Sequence, residues 1–234
     1  MRKFLLTLML SIALISSFVS TPAQAANSAF KPEVESVLKH MEDVGRSLNS
    51  LVATFWQQKR NTQLDIDDPV ETGLIYYVPG KNGSDIKLRI DITKPAKTIV
   101  ITGDKIKFYQ PDIKQLLISS VKEAKTNKST GSLAVTFGSV SAIRDNYEVS
   151  FVKEETVEGE KTSELHLIPK KTGAYKSIDI WISQNAWLPI QQTLVETNGD
   201  ITTLRLSNIK KNEQFNVKTL IDNFNPANAK IVKG

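Results

Sequence analysis

The segment from Ile86 to Ile118 constrains the fold of this chain more than any other. It begins IKLRIDIT, in which apolar side chains alternate with charged ones. Alternation with a period of two is typical of a β-strand that buries one face and exposes the other. Two further short strands follow at 98–102 and 105–110, joined tightly through Gly103-Asp104. The segment therefore predicts a run of antiparallel strands.

Similar patterns on both sides extend this sheet. Asn82-Gly83, Glu158-Gly159 and Asn198-Gly199 mark turns between apolar runs. Asn-Gly suits a two-residue hairpin because both residues tolerate positive φ. Short strands in series predict a strongly curved antiparallel sheet. The eleven predicted strands are 51–60, 72–79, 85–93, 97–102, 105–110, 113–119, 146–154, 163–169, 176–183, 189–197 and 200–208.

An amphipathic helix precedes the strands. Pro32 suits the first helical position, and apolar residues follow it at steps of three and four, which is the spacing of one helix face. This apolar stripe consists of Val34, Val37, Leu38, Met41, Val44, Leu48 and Leu51. The predicted fold class is therefore mainly β with helices (α+β). No linker or shift in composition divides the chain, so we expect residues 26–234 to form a single domain.

The first 25 residues have the pattern of an export signal. Arg2 and Lys3 precede an apolar run, and Ala23-Gln24-Ala25 matches an A-x-A cleavage site. A transmembrane anchor is the alternative, but the run is short for about 30 Å of hydrocarbon. We therefore expect the mature chain outside the cytoplasm. The absence of cysteine excludes a disulfide scaffold and a lipidated cysteine.

The sequence shows no pattern typical of a catalytic or metal site. His40 and His166 have no partner at metal-ligand spacing. The run 65–68 resembles the start of a calcium loop, but Pro69 stands where a third ligand belongs. Lysines alternate with acidic residues and form no platform with aromatic ones, which argues against nucleic acid as a partner. We therefore predict no catalytic residue, no metal and no cofactor.

The strand pattern is interrupted between Lys122 and Asn146. An apolar run at 132–137 lies there, flanked by Gly131 and Gly138. We interpret it as a short helix, an extended plug or a surface loop with an apolar base, and the glycines allow it to hinge.

Several short motifs, taken in order, resemble one family. They are similar to its "SFxQ", "P…ivsDGk.lw.Y.P…Q" and C-terminal patterns. Together these segments resemble the LolA-type periplasmic lipoprotein carriers of Gram-negative bacteria. The matching residues are Ala53-Thr54-Phe55-Trp56-Gln57, Gly73, Pro95, Ile99 to Pro111, Gln115, Leu188-Pro189, Gly199-Asp200, Phe224, Pro226 and Ile231.

The resemblance implies an open, strongly curved half-barrel of about eleven strands covered by a helical lid. Its cavity would hold the acyl chains of lipoproteins received from an inner-membrane ATP-driven release complex and delivered to an outer-membrane acceptor. Such a protein is a monomer and not an enzyme. Family members carry an arginine, linked to lid closure, where this chain has Val78-Pro79. Arg89 is the nearest basic residue in the next strand.

Alternation along the strands and the helix assigns a lining and a lid to this cavity. The predicted lining consists of Phe55, Leu74, Tyr76, Leu88, Ile90, Ile99, Ile101, Ile106 and Phe108. The predicted lid consists of Val37, Met41, Val44, Leu48, Leu133 and Phe137. The alternative is that the same residues form a filled, dry core.

Three other functions fit the same pattern. The first is a binding protein for another lipid or apolar ligand. The second is a periplasmic sensor on the same half-barrel. The third is a hydrolase, which would need two carboxylates facing one cavity.

Overall fold

The computed structural model describes residues 31–80, 85–120 and 139–233. Its helices are α1 (Pro32–Ser47), α2 (Val140–Asn146) and a π-helical turn at Lys218–Asp222. The strands are β1 (Leu51–Asn61), β2 (Ile66–Asp67), β3 (Glu71–Val78), β4 (Lys87–Thr93), β5 (Ala96–Thr102), β6 (Lys105–Gln110), β7 (Gln115–Ser120), β8 (Tyr147–Val157), β9 (Glu160–Pro169), β10 (Tyr175–Ser183), β11 (Pro189–Glu196), β12 (Ile201–Lys211) and β13 (Lys230–Lys233). None of the helices described has the length and apolar composition that a membrane span requires.

All the strands belong to one open sheet. Its order is β13-β7-β6-β5-β4-β3-β1-β12-β11-β10-β9-β8, with β2 paired to β1. Every pairing is antiparallel except that of β13 with β7. The predicted fold class and all eleven predicted strands are confirmed, and β2 and β13 are additional.

The sequence of α1 favours a helix that begins at Pro32. Pro32 opens the helix, and Glu33 and Glu35 lie in its first turn, where acidic side chains favour the helix dipole. Arg46 lies in the last turn and contacts Glu42 one turn earlier. The four buried residues of α1 are Val34, Val37, Leu38 and Met41, and all four belong to the predicted stripe.

Cross-strand pairing shows which side chains share a face of the sheet. We call the face that α1 covers the inner face and the opposite one the outer face. Two apolar clusters lie on the inner face. The first cluster comes mainly from β1, β3–β6 and β12, and it contains Leu51, Ala53, Phe55, Ile75, Tyr77, Leu88, Ile90, Ile92, Ile101, Ile106, Leu204 and Leu206. The second cluster joins α1 and α2 to β9–β11, and it contains Val34, Val37, Leu38, Met41, Val140, Ile143, Leu165, Leu167, Ile178, Ile180, Ile182 and Leu194.

Gly73 allows β3 and β4 to approach closely. A Cβ at this position would lie 1.8 Å from the backbone oxygen of Asp91 on β4. No side-chain rotation can relieve a contact with backbone. The glycine of the family-like motif therefore has a packing role between two strands of the first cluster.

The outer face is covered in part by the C-terminal segment. Ile221 in the π-helical turn is fully buried, and Val100 and Leu116 of the sheet are nearly so. Arg89 donates to the backbone oxygen of Leu220 at 2.8 Å, and its guanidinium lies 5.0 Å from the centre of the Phe224 ring. Arg89 therefore anchors the C-terminal segment on the outer face.

Candidate functional site

The apolar surface of the first cluster is the candidate site. Five residues of the predicted lining belong to it and are buried: Phe55, Leu88, Ile90, Ile101 and Ile106. Cross-strand pairing brings them into one surface, since Leu88 pairs with Ile101 and Ile101 pairs with Ile106. Such opposed side chains lie about 5 Å apart and pack across the strands.

Two more predicted residues extend this surface toward its rim. Ile99 packs against the first cluster, and it pairs with Ile90 on one side and Phe108 on the other. Ile99 and Phe108 are only partly buried. The inner face is thus apolar across β4, β5 and β6 and becomes more accessible toward β6.

The sequence analysis assigned Leu74 and Tyr76 of β3 to the cavity lining. This assignment was wrong, because both side chains lie on the outer face. Leu74 is 43% exposed, and the ring of Tyr76 contacts Phe215, with 5.4 Å between ring centres, on the outer face. Their neighbours Ile75 and Tyr77 point inward instead and belong to the first cluster. Burial raises the pKa of the Tyr77 hydroxyl to about 12, so this side chain stays neutral on the inner face.

The error has a clear cause. β3 reads LIYYV over its second half, so apolar residues occupy both faces and the period of two is lost. The register against β1 would have resolved it, because Ala53 pairs with Ile75 and Leu51 with Tyr77. The prediction also missed Ile92, Leu204 and Leu206.

The helix α1 lies mainly over the other half of the inner face. Val37 and Met41 belong to the second cluster, with residues of β9–β11. Among the predicted lid residues described, Leu48 is the one that packs against the first cluster. Val44 is partly buried, and Leu133 and Phe137 lie outside the described residues. The predicted lid and lining therefore sit for the most part in separate clusters.

Two polar contacts hold α1 in place. Arg144 of α2 donates to Glu35 at 2.6 Å, and this hydrogen bond lowers the pKa of Glu35 despite the opposing effect of burial. The imidazole of His40 stacks on the indole of Trp187, with 4.1 Å between ring centres. Trp187 lies in the turn between β10 and β11 and packs against the second cluster.

Apolar packing contributes more than these polar contacts to holding α1 on the sheet. Val34 and Leu38 are fully buried, and Val37 and Met41 nearly so. Burying a side chain of this size stabilises by about 1.5–3 kcal/mol. Lifting α1 therefore costs several kcal/mol, which an apolar ligand taking its place would offset.

A cavity of about 470 Å³ lies at the end of the sheet where β12 stops, beside the β10–β11 turn and the start of β9. Its volume falls in the range of small-molecule sites, about 300–1,000 Å³, but its lining is mainly polar, whereas such sites are mostly apolar. Leu206 and Ile209 on its wall belong to or pack against the first cluster, and the turn that carries Trp187 forms the opposite side. The full lining is Glu160, Asn185, Ala186, Leu206, Ser207, Asn208, Ile209 and Lys211.

The inner face turns polar at the end of the sheet where β1 stops. There Lys59 lies 2.8 Å from Glu196 and 3.3 Å from Asp200, and both acidic residues are buried. Burial acts to raise the pKa of Asp200, but hydrogen bonds from Asn198 and Lys59 outweigh it and keep the pKa below its ordinary value. The inner face is therefore apolar along most of its length and charged at this end.

The chemistry of the described residues is that of packing and pairing. No group of three or more His, Asp or Glu side chains within 31–80, 85–120 and 139–233 is arranged to hold a metal ion. His166 is part of the outer face and lies 2.5 Å from Asp179. Glu160 is the carboxylate among the residues that line the 470 Å³ cavity.

Comparison with known proteins places the chain in a family. The family model described as "Outer membrane lipoprotein carrier protein LolA" matches residues 46–219. No curated protein matches the chain.

Three solved structures are similar in fold. An uncharacterized conserved protein from Thermus thermophilus superimposes with a TM-score of 0.57 at 13% identity, covering 86% of this chain and 99% of that one. MucB gives a TM-score of 0.56 at 15% identity, covering 86% of this chain and 66% of that one. A MucA/MucB complex from Pseudomonas aeruginosa gives 0.51 at 15% identity, with coverage of 86% and 63%. At these identities the likeness establishes the fold alone.

Proposed function

The chain belongs to the LolA family of outer membrane lipoprotein carrier proteins, and from this premise we propose that it carries lipoproteins across the periplasm. The acyl chains of the cargo bind on the inner face of the sheet. The cargo comes from an ATP-driven release complex in the inner membrane and passes to an acceptor at the outer membrane.

The observation that supports this proposal most is the apolar surface of the first cluster. It spans β1, β3–β6 and β12, whereas the buried side of α1 packs against β9–β11. Each methylene of an acyl chain that leaves water contributes about 0.8 kcal/mol. The first cluster is aliphatic but buried in the empty protein, so acyl chains bind there by replacing the contacts that now cover it.

The arrangement of α1 suits release as well as binding. A ligand that extends from the first cluster toward the second displaces contacts that α1 makes in the empty protein. Apolar contact is then exchanged rather than created, so the net affinity stays modest. A carrier needs modest affinity because cargo held by the full burial energy would not dissociate.

Site-specific photo-crosslinking tests the proposal. A photo-reactive residue is placed at Ile101 on the inner face and, as the matched control, at Leu74 on the outer face. We expect Ile101 to capture lipoprotein during transfer and Leu74 to capture none. Equal capture at both positions, or none at Ile101, contradicts the assignment of the inner face.

A second candidate is a periplasmic sensor or binding protein for another apolar ligand. The fold neighbour MucB supports it, because one of its structures is a complex with MucA. Mass spectrometry of molecules crosslinked at Ile101 separates the two. Triacylated peptides indicate a lipoprotein carrier, and free lipid alone indicates the second function.

A further inference from the structure

Exposed apolar side chains are concentrated at one end of the sheet. This end, the Asn61 end, is where β1 and β6 stop and where β3, β7 and β13 begin. Of the eight exposed large apolar residues described, five lie at this end between β13 and β1, and a sixth, Ile168, lies farther along the same edge at the end of β9. The five are Leu64, Ile66, Val70, Ile113 and Ile231. Concentrated exposure of this kind marks an interaction surface more often than scattered single residues do.

These residues form two patches, and the first is acidic. It is the loop Asn61–Val70, in which Leu64 is 67% exposed and Ile66 is 55% exposed. The loop also carries the exposed carboxylates of Asp65, Asp67 and Asp68. Arg60 pairs with Asp65 and Asp67, so three negative charges face one positive charge. We call this loop the acidic patch.

The second patch is basic. It joins the β6–β7 turn to the start of β13 through a hydrogen bond from the Lys230 nitrogen to the Lys114 oxygen at 2.8 Å. Ile113 is 61% exposed and Ile231 is 55% exposed. Lys114 and Lys230 outnumber the carboxylate of Asp112, and Lys233 lies three residues farther along β13, opposite Ile118. We call residues 111–114 with 230–233 the basic patch.

We propose that the two patches bind each other between two copies of this chain. Each patch combines exposed apolar side chains with net charge, and the charges are opposite. A two-fold axis between the patches sets the acidic patch of each copy on the basic patch of the other, which is the self-complementary arrangement of a symmetric dimer. This dimer departs from the monomer that the family resemblance implies.

The spacing on the sheet is compatible with this arrangement. In the strand order, β7 and β1 are separated by β6, β5, β4 and β3, which is about 24 Å at about 4.8 Å per strand. The β4–β5 turn lies midway between the patches and would lie near the axis. The cavity lined by Leu206 and Ile209 is at the opposite end of the sheet and stays open in the dimer.

An anionic bilayer is a less suitable occupant. The basic patch would be attracted to acidic headgroups, but the acidic patch carries the most exposed apolar residue, Leu64, and would be repelled. A second copy of the chain offers an oppositely charged apolar patch to each of the two patches.

Sedimentation velocity on protein recovered from the periplasm tests the proposal. We expect dimer to form between low micromolar and near-millimolar concentration and to weaken as salt rises. The variant Lys114→Glu with Lys230→Glu makes both patches acidic, and Asp65→Lys with Asp68→Lys makes both basic. Each variant alone should raise the dissociation constant by about ten-fold or more. Lys161→Glu, on the opposite end of the sheet, is the matched control and should leave the constant unchanged.

Mixing the two double variants supplies the decisive result. The acidic variant should pair with the basic variant, and the chain that carries all four changes should pair with itself again. A wild-type protein that stays monomeric throughout overturns the proposal, and so does failure of the mixture to associate while both variants remain folded by circular dichroism. Monomeric protein that binds anionic vesicles through Ile113 and Lys114 also overturns it and assigns the basic patch to a membrane.

Discussion

Replacing Gly73 by alanine should destabilise the protein strongly, and the reason lies in one distance. The added Cβ would come within 1.8 Å of the Asp91 oxygen and 2.8 Å of its carbonyl carbon. A contact this short cannot persist, so β3 and β4 must separate locally. Overpacking that side chains can absorb costs about 1–3 kcal/mol. Here the obstacle is backbone in a paired strand, so we expect a cost at the top of that range, about 3 kcal/mol or more.

Gly45→Ala in α1 is the matched control for this experiment. Apart from its chain neighbours and the backbone of α1 itself, no atom lies within 4 Å of its Cβ position. Alanine in a helix interior is favoured over glycine by about 0.5–1 kcal/mol. The same substitution should therefore stabilise at Gly45 and destabilise at Gly73. Urea unfolding followed by circular dichroism measures both. A Gly73→Ala protein within about 0.5 kcal/mol of wild type would refute the reasoning from strand approach.

Further predictions concern the helix and the charged end of the inner face. Glu35→Gln should cost at most about 1 kcal/mol at neutral pH, since the pair is partly exposed. Because the pKa of Glu35 is lowered on folding, its contribution is present above the ordinary carboxyl pKa and is lost as pH falls through the folded value, so wild type and variant should converge in acid. Leu38→Ala should cost about 2–5 kcal/mol because Leu38 is fully buried, whereas Leu64→Ala at an exposed site should change the free energy of unfolding by under about 0.5 kcal/mol. Lys59→Met leaves Asp200 without its cation and should lower the free energy of unfolding at neutral pH, with the loss reduced in acid as carboxylates protonate. Urea titrations at several pH values check all four.

Alternation along the strands and the helical stripe were enough to predict the antiparallel strands and α1, whereas the open half-barrel was implied by the family resemblance. Leu88, Ile90 and Ile92 are separated by charged residues, so one reading frame places them together, and the structure buries all three. The stripe of α1 was equally clear, because Val34, Leu38 and Met41 recur at about one helical turn. Local periodicity is sufficient for such elements because each has a single apolar face.

Elements that are apolar on both faces depend on tertiary packing. β3 could not be assigned a face from LIYYV, and only its pairing with β1 turns Ile75 inward. Val100 lies on the outer face of β5, between Ile99 and Ile101, which face inward. It is buried because the C-terminal segment, more than a hundred residues later, packs Ile221 against that side of the sheet.

The position of α1 on the sheet is the clearest example of a feature that depends on tertiary contacts. Its sequence determined that it would bury one stripe, but a stripe of Val, Leu and Met fits any aliphatic surface. The structure sets it over β9–β11, where Arg144 and Trp187 supply polar and aromatic partners for Glu35 and His40. Hydrophobic burial is non-directional, so it brings the helix to the sheet, whereas specific long-range contacts decide which half of the sheet it covers.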